Sequence, residues 1–267
     1  MDLIDTHCHL DAAEFAADRD QIVAQSLAAG VSTLVVPAVT APGFALTRQM
    51  AQLYPCCRIA LGMHPIYIQS HLPQHLPLLR QELLQGGVVA VGEIGLDGFV
   101  PGLDMAAQEA LFVAQLQLAA EFDLPVLLHI RKAQDLILKH LRRIRVKGGI
   151  AHAFNGSRQQ ADEFIKLGFR LGFGGAMTFD RARRIRELAA TLPLQALVLE
   201  TDAPDIPPHW LYQTAEARAL GARSRNEPAE LPRIGAELAR LRGLDPAATA
   251  ALTAANARAA LPRLAAL

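Results

Sequence analysis

The residues of this chain best suited to chemistry recur at one kind of place, the C-terminal end of a short apolar run. His7 and His9 close the first run, with Cys8 between them. Glu93 follows Gly92 after the run Val88–Val91. His129 follows Val126–Leu128, His152 follows Gly149–Ala151, and Glu200, Thr201 and Asp202 follow Leu197–Leu199. Two histidines spaced two apart on an extended strand face the same way, so both imidazoles can grip one ion, while Cys8 turns toward the core. Taken singly, His129 or His152 would more often be a structural histidine, and His7 with His9 could be a surface pair. Four imidazoles and two carboxylates, Glu93 and Asp202, at equivalent positions form a ligand set. That is too many donors for one tetrahedral ion; they suit two divalent metal ions with positions open for water and substrate. Holding two cations about 3.5–4 Å apart needs a bridging carboxylate, for which Glu93 is the candidate. A carbamylated lysine fills that place in some metalloenzymes. Here Lys132, Lys139, Lys147 and Lys166 end no strand run. The chemistry expected is hydrolysis. Bound cations lower the pKa of water toward ~7, and Asp202 is placed to accept its proton.

For these residues to meet, the apolar runs must be strands whose ends share one face. The runs are Leu3–Ile4, Thr33–Val36, Ile59–Leu61, Val88–Val91, Val126–Leu128, Gly149–Ala151, Phe169–Phe173 and Leu197–Leu199. Several are apolar throughout, as strands buried on both faces are. Helical spacing fills the gaps between them, for example Phe112, Leu116 and Ala119. Eight such repeats point to an α/β fold, a single (β/α)8 TIM barrel spanning residues 1–267, whose active site lies where the strands end. The long stretch from Ala203 to Asn226 reads as an irregular loop over the barrel mouth, and a last helix is expected around Pro246–Leu261.

Bulk properties narrow the classes further. With 26 basic and 26 acidic residues among 267, the chain has no global attraction to nucleic acid, so any polyanion must be held by a local site. The three cysteines, Cys8, Cys56 and Cys57, form no disulfide framework, which fits a reducing, cytoplasmic setting. No apolar stretch reaches the ~18 residues of a membrane span, and no signal peptide is expected. No obligate protein partner is signalled.

Seven segments, in order and nearly end to end, resemble the TatD-related deoxyribonuclease family of metal-dependent hydrolases. They are IDTHCHLD (4–11), LGMHP (61–65), VGEIGLD (91–97), PVLLH (125–129), AHAFNGS (151–157), ETDAPDIP (200–207) and RNEPAELP (225–232). ETDAPDIP and the loop after it resemble a bacterial, YjjV-like branch. The resemblance implies two-metal cleavage of nucleic-acid phosphodiesters, often from the 3′ end, with DNA ends or single strands as substrate. It would place the first ion on His7, His9, Glu93 and Asp202 and the second on Glu93, His129 and His152. The metals could be Mg2+, Mn2+ or Zn2+. After Gly95-Leu96-Asp97 the family often has an aromatic pair where this chain has Gly98-Phe99, so a base-stacking surface is expected to be weaker here. The same scaffold could instead cleave a lactone, an amide or an aminoacyl ester.

Other residues carry two readings each. His64 could touch a phosphate or cap its own loop, and Arg131 could bind phosphate or face solvent. Asp5 and Asp97 could orient a ligand imidazole; Asp5 could equally satisfy backbone groups. Arg142, Arg143, Arg145 and Lys147 read as a solvated helix end at the barrel bottom. Arg181, Arg183, Arg184 and Arg186 lie near the mouth, where a solvated face is favoured over phosphate tracking. His209 and Trp210 could stack a base or pack on the rim. Arg223, Arg225 and Asn226 match the family segment without revealing a role.

Overall fold

The computed structural model describes residues 2–222 and 224–265. Eight strands pair in parallel in chain order: β1 Leu3–Asp5, β2 Val31–Pro37, β3 Cys57–Leu61, β4 Ala90–Asp97, β5 Val126–Arg131, β6 Gly149–Ala151, β7 Phe169–Phe173 and β8 Leu197–Leu199. The last strand returns to the first. The Leu199 carbonyl accepts from Thr6 twice, from its backbone N–H at 3.1 Å and its hydroxyl at 3.0 Å. Beyond them Asp202 N–H donates to the His7 carbonyl at 2.9 Å, and His9 N–H to the Ala203 carbonyl at 2.8 Å. This seam closes the (β/α)8 barrel.

Helices α1 Arg19–Ala28, α2 Phe44–Leu53, α3 His75–Leu84, α4 Met105–Glu121, α5 Gln134–Leu141, α6 Arg158–Lys166 and α7 Arg183–Thr191 each follow a strand. Local chemistry starts several of them. The Asp104 carboxylate accepts from Ala106 and Ala107 N–H at the head of α4, and Ser157 with Gln160 forms a reciprocal cap on α6. After β8 come α8 Ala215–Ala219, α9 Leu231–Arg242 and α10 Pro246–Ala260. The long loop is therefore broken by one short helix. Arg223 lies outside the described residues.

The barrel bottom is closed by α10. Ala254, Ala257 and Ala260, with Leu261, pack against Ile4, Val35, Ala60, Leu127, Ile150 and Val198 from the strands. Alanine suits this face, since larger side chains would not fit inside a barrel already filled by the strand residues.

Strands β4 and β5 run further than their apolar stretches suggest, to Asp97 and Arg131. All eight residues of β4 are buried, Glu93 and Asp97 included, because each carboxylate finds partners inside. Two buried glutamines on α4 help to hold the mouth. Gln115 accepts from Met63 N–H at 2.7 Å and donates to the Met63 carbonyl at 3.1 Å. Gln108 does the same for Asp97, at 2.8 and 3.2 Å. Between them Phe112 is fully buried, as are Leu116 and Ala119 on the face expected.

Candidate metal centre

Glu93 lies at the middle of the mouth. Its Oε2 is 3.1 Å from His7 Nε2 and 3.6 Å from His9 Nε2. Its Oε1 is 3.3 Å from His129 Nδ1, 3.3 Å from His64 Nε2 and 3.7 Å from His152 Nε2. Asp202 Oδ1 stands opposite, 3.7 Å from both His7 Nε2 and His9 Nε2 and 3.9 Å from His152 Nε2. All six residues expected to be ligands thus converge, Glu93 and His129 from within β4 and β5 and the others from just beyond β1, β6 and β8. His7 and Glu93 are buried; His9 and His129 keep side-chain exposures of 17 % and 15 %, open to the mouth.

The donor set fits divalent cations. Glu93 Oε1 is buried and accepts no well-formed hydrogen bond, although three imidazole nitrogens surround it. An oxygen in that position is expensive to bury, and a cation between it and the imidazoles would satisfy it. Among the described residues three donor triplets are close enough to hold an ion: His7, Glu93 and His152; His7, His9 and Asp202; and His64, Glu93 and His129. None of these contains both His129 and His152, whose ring centroids are 6.3 Å apart.

Hydrogen bonds assign the tautomers. His129 Nε2 faces Asp97 Oδ2 at 2.9 Å, so Nε2 carries the proton and Nδ1 presents a lone pair to the centre. Asp97 is the residue that orients this imidazole; its other oxygen accepts from Phe99 and Val100 N–H at 2.8 and 2.9 Å. His152 Nδ1 lies 3.3 Å from Glu200 Oε1 without a well-formed hydrogen bond, and its Nε2 is turned inward toward Glu93 and Asp202. His64 is the reverse case. Its Nδ1 accepts from Ile66 N–H at 3.1 Å, so Nε2 carries a proton toward Glu93. His64 therefore caps its own loop and also presents a donor to the site.

Burial and neighbours set the protonation of the cage. Burial pushes His7 down to about 3, with His152 adding to it against the pull of Glu93. Burial likewise takes His64 down to about 4 despite Glu93. His152 goes the other way, to about 10; burial opposes its charge, but Asp202 and Glu200 outweigh it. His129 is held above its ordinary value because Asp97 and Glu93 overcome burial. Glu93 resists burial through His64 and His7 and stays well below the usual carboxylate range. Asp202 is raised to about 6 by burial, even with His152 and His9 drawing it down.

Glu200 was legible as a strand end but had no assigned role. It is buried, accepts from Ala153 N–H at 2.5 Å and lies beside His152. Its carboxylate fits because residue 172 is glycine; a Cβ there would sit 2.1 Å from Glu200 Oε2. Backbone strain collects at the same rim, with Ala153 at φ 44° and Asp202 at φ 59°. Among the described residues Asp5 satisfies backbone groups and hydrogen-bonds no imidazole ring. It accepts from Thr201 N–H at 2.9 Å, His7 N–H at 3.2 Å and the Thr201 hydroxyl at 2.5 Å. Cys8 is fully buried, as its position between the two histidines predicts.

Arg131 is exposed, with its guanidinium 3.8 Å from the Phe99 ring centroid. Trp210 packs half-buried on the rim, donating to Glu230 at 2.7 Å with Arg233 over its ring. His209 is exposed beside it. Arg225 is locked to Asp18 and Glu227, and the buried Asn226 side chain donates to the Thr201 and Asp205 carbonyls, pinning the loop after β8. Arg142 and Lys147 pair with Glu163 and Asp123, as a solvated helix end would. Arg186 pairs with Glu237 and Arg184 binds Asn155.

Residues 4–262 match the family described as TatD related DNase. The chain belongs to this family. Among TatD relatives, one named uncharacterized metal-dependent hydrolase YjjV, from Escherichia coli K12, is 41% identical over 237 residues, covering 85% of this chain and 92% of that one. Another, named 3′-5′ ssDNA/RNA exonuclease TatD, from Salmonella typhimurium, is 36% identical over 259 residues, covering 96% and 97%. The crystal structure of YjjV, a TatD homolog from Escherichia coli K12, superposes with a TM-score of 0.89 at 38% identity, covering 97% of this chain and 98% of that one. The TatD assignment thus rests on nearly the whole barrel.

Proposed function

We propose that this chain is a two-metal hydrolase that cleaves phosphodiester bonds at the 3′ ends of single-stranded DNA. The observation that supports this most is the division of labour on Glu93. One carboxylate oxygen faces His7 and His9 and the other faces His129, His64 and His152, an arrangement in which one carboxylate would serve two cations. The first ion would be held by His7, His9, Glu93 and Asp202, and the second by Glu93, His129 and His152. His64 is left out because its Nε2 carries a proton. Manganese, magnesium and zinc are the ions to test. When bound, such a pair supplies charge neutralisation and acidifies water.

The protein's own groups divide the remaining work. The Asp202 carboxylate, 3.7 Å from both His7 Nε2 and His9 Nε2, is the candidate proton acceptor. His64 Nε2–H donates to a non-bridging phosphate oxygen, where charge builds up during in-line attack. Arg131, held flat against Phe99, offers a guanidinium and an aromatic edge to the incoming strand. The name of the Salmonella typhimurium relative, a 3′-5′ ssDNA/RNA exonuclease, supports the same bond and polarity. Free Cys8, Cys56 and Cys57 support a reducing cytoplasm as the place of action.

The test is turnover on end-labelled single- and double-stranded DNA, with RNA, a lactone and an aminoacyl ester in parallel, across a panel of divalent ions. Stepwise shortening from the 3′ end that depends on the added metal is expected. Turnover of the lactone or aminoacyl ester alone refutes the reading.

A further inference from the structure

The β7–β8 side of the mouth contains a cavity that the hydrolytic residues do not account for. Its volume is about 450 Å³, and its walls include Phe179, Arg181, Ile185, Ile206, Pro207 and Tyr212. That volume suits a small organic ligand. Phe179 and Tyr212 meet edge to face, with centroids 5.7 Å apart and planes at 88°. The Arg181 guanidinium lies over both rings, 5.3 Å from one centroid and 5.8 Å from the other. Ile206 lines this cavity and also the narrow cleft walled by Glu200, Thr201 and Asp202. The cavity is therefore continuous with the loop that carries the proposed proton acceptor. Ile206 takes a positive φ, 42°, where the chain bends between the two.

Two aromatic rings beneath an exposed cation, in a cavity that shares Ile206 with the cleft walled by Asp202, suit a flat π-system attached to a negative group. A nucleotide is such a ligand: the base stacks and the phosphate meets the guanidinium. We propose that this cavity receives the nucleobase next to the cleaved phosphate, with Arg181 over the adjoining phosphate. The proposal rests on the nuclease reading given above. The stacking surface is then built from Phe179 and Tyr212, on the loops after β7 and β8, while Trp210 is engaged elsewhere.

Base stacking on an aromatic side chain is worth a factor of roughly 5 to 150 in affinity. The experiment compares wild-type enzyme with Phe179→Leu and Tyr212→Ala variants, all loaded with manganese, on two oligonucleotides. One is ordinary single-stranded DNA; the other carries stable tetrahydrofuran abasic sites at its 3′-terminal positions. Phe179→Leu keeps apolar bulk in the wall and removes only the ring. Far-ultraviolet circular dichroism and metal content confirm that each variant is folded and loaded. Wild type is expected to prefer the ordinary strand, through KM, by a factor in that range. The variants should lose this preference and converge with wild type on the abasic strand. A wild type that cleaves both strands equally well overturns the proposal while leaving the nuclease reading intact. So do variants that keep the full preference. A wild type that cleaves neither strand overturns the nuclease reading, and this proposal with it.

Discussion

Replacing Asp97 with asparagine isolates the orientation of one imidazole from everything else in the centre. Asp97 Oδ1 accepts from Phe99 and Val100 N–H, which holds the turn after β4, while Oδ2 accepts from His129 Nε2 at 2.9 Å. An asparagine whose oxygen stays on the turn places its NH2 group against His129. Nε2 must then give up its proton and accept, which moves the proton to Nδ1 and blocks the lone pair that faces Glu93. The flipped amide restores the bond to His129 but sets NH2 against two backbone donors, costing two hydrogen bonds of about 1 kcal/mol each. Either way the loss is of the order of a charge-assisted hydrogen bond, about 1.5–3 kcal/mol. At about 1.4 kcal/mol per decade, that is roughly a 10- to 100-fold weakening of one metal site, the range expected when a ligand's outer partner is removed. Competition with a chromogenic chelator would follow metal release from the wild type and the variant, with circular dichroism as the folding control. One ion should be lost much earlier than the other. An Asp97→Asn protein that binds both ions as tightly as wild type would show that the tautomer argument is wrong.

Four further outcomes follow from the same structure. Gln115→Leu leaves both polar groups of Met63 without a partner; at about 1–3 kcal/mol per buried group, thermal unfolding should fall by several degrees, and His64, next along the chain, should loosen, raising KM. Gly172→Ala drives a Cβ into Glu200; overpacking of about 1–3 kcal/mol should appear in the melting temperature together with weaker metal binding, whereas weaker melting alone would separate Glu200 from His152. Stripping the metals with a chelator should lower the melting temperature and restoring manganese should recover it, since saturation at 100-fold over Kd contributes about 2.7 kcal/mol; an unchanged melting curve would argue against any tightly held ion. Glu237 is held below its ordinary carboxylate value, first by Arg240 and, despite burial, also by Arg186. Its contribution is therefore present above pH 4.5 and lost as pH falls through the lower folded value, so Glu237→Gln should be less stable than wild type at pH 7, with the gap closing in acid.

The convergence of the candidate ligands was legible because a parallel barrel gathers all its strand ends on one face. His7, His9, Glu93, His129, His152 and Asp202 each mark the end of an apolar run, and pattern alone carried them. What escaped was whatever depends on a partner distant in sequence. Gln108 and Gln115 read as ordinary polar residues on a helix; their role appears only when α4 is laid against the ends of β3 and β4. The extension of β4 to Asp97 was hidden for a similar reason, since carboxylates interrupt a hydrophobic run unless their buried partners are known. His64 was read as capping its loop or touching substrate, and the geometry gives it both a capping nitrogen and an inward one. Of the two readings of Trp210, rim packing is the one the structure bears out, with Glu230 and Arg233 holding it, while the ring pair that faces the cavity joins Phe179 and Tyr212 across a long stretch of chain.

The seam between β1 and β8 has a consequence for how this activity comes into being. The Thr6–Leu199 bond spans 193 positions, and the backbone bonds that set Asp202 against His7 and His9 lie just beyond it. Until the eighth strand has been translated, the two N-terminal histidines have neither their opposing carboxylate nor a closed wall behind them. A nascent chain on the ribosome therefore holds His7 and His9 without Asp202 opposite them. Competence arrives late, with the stretch of polypeptide that shuts the cylinder.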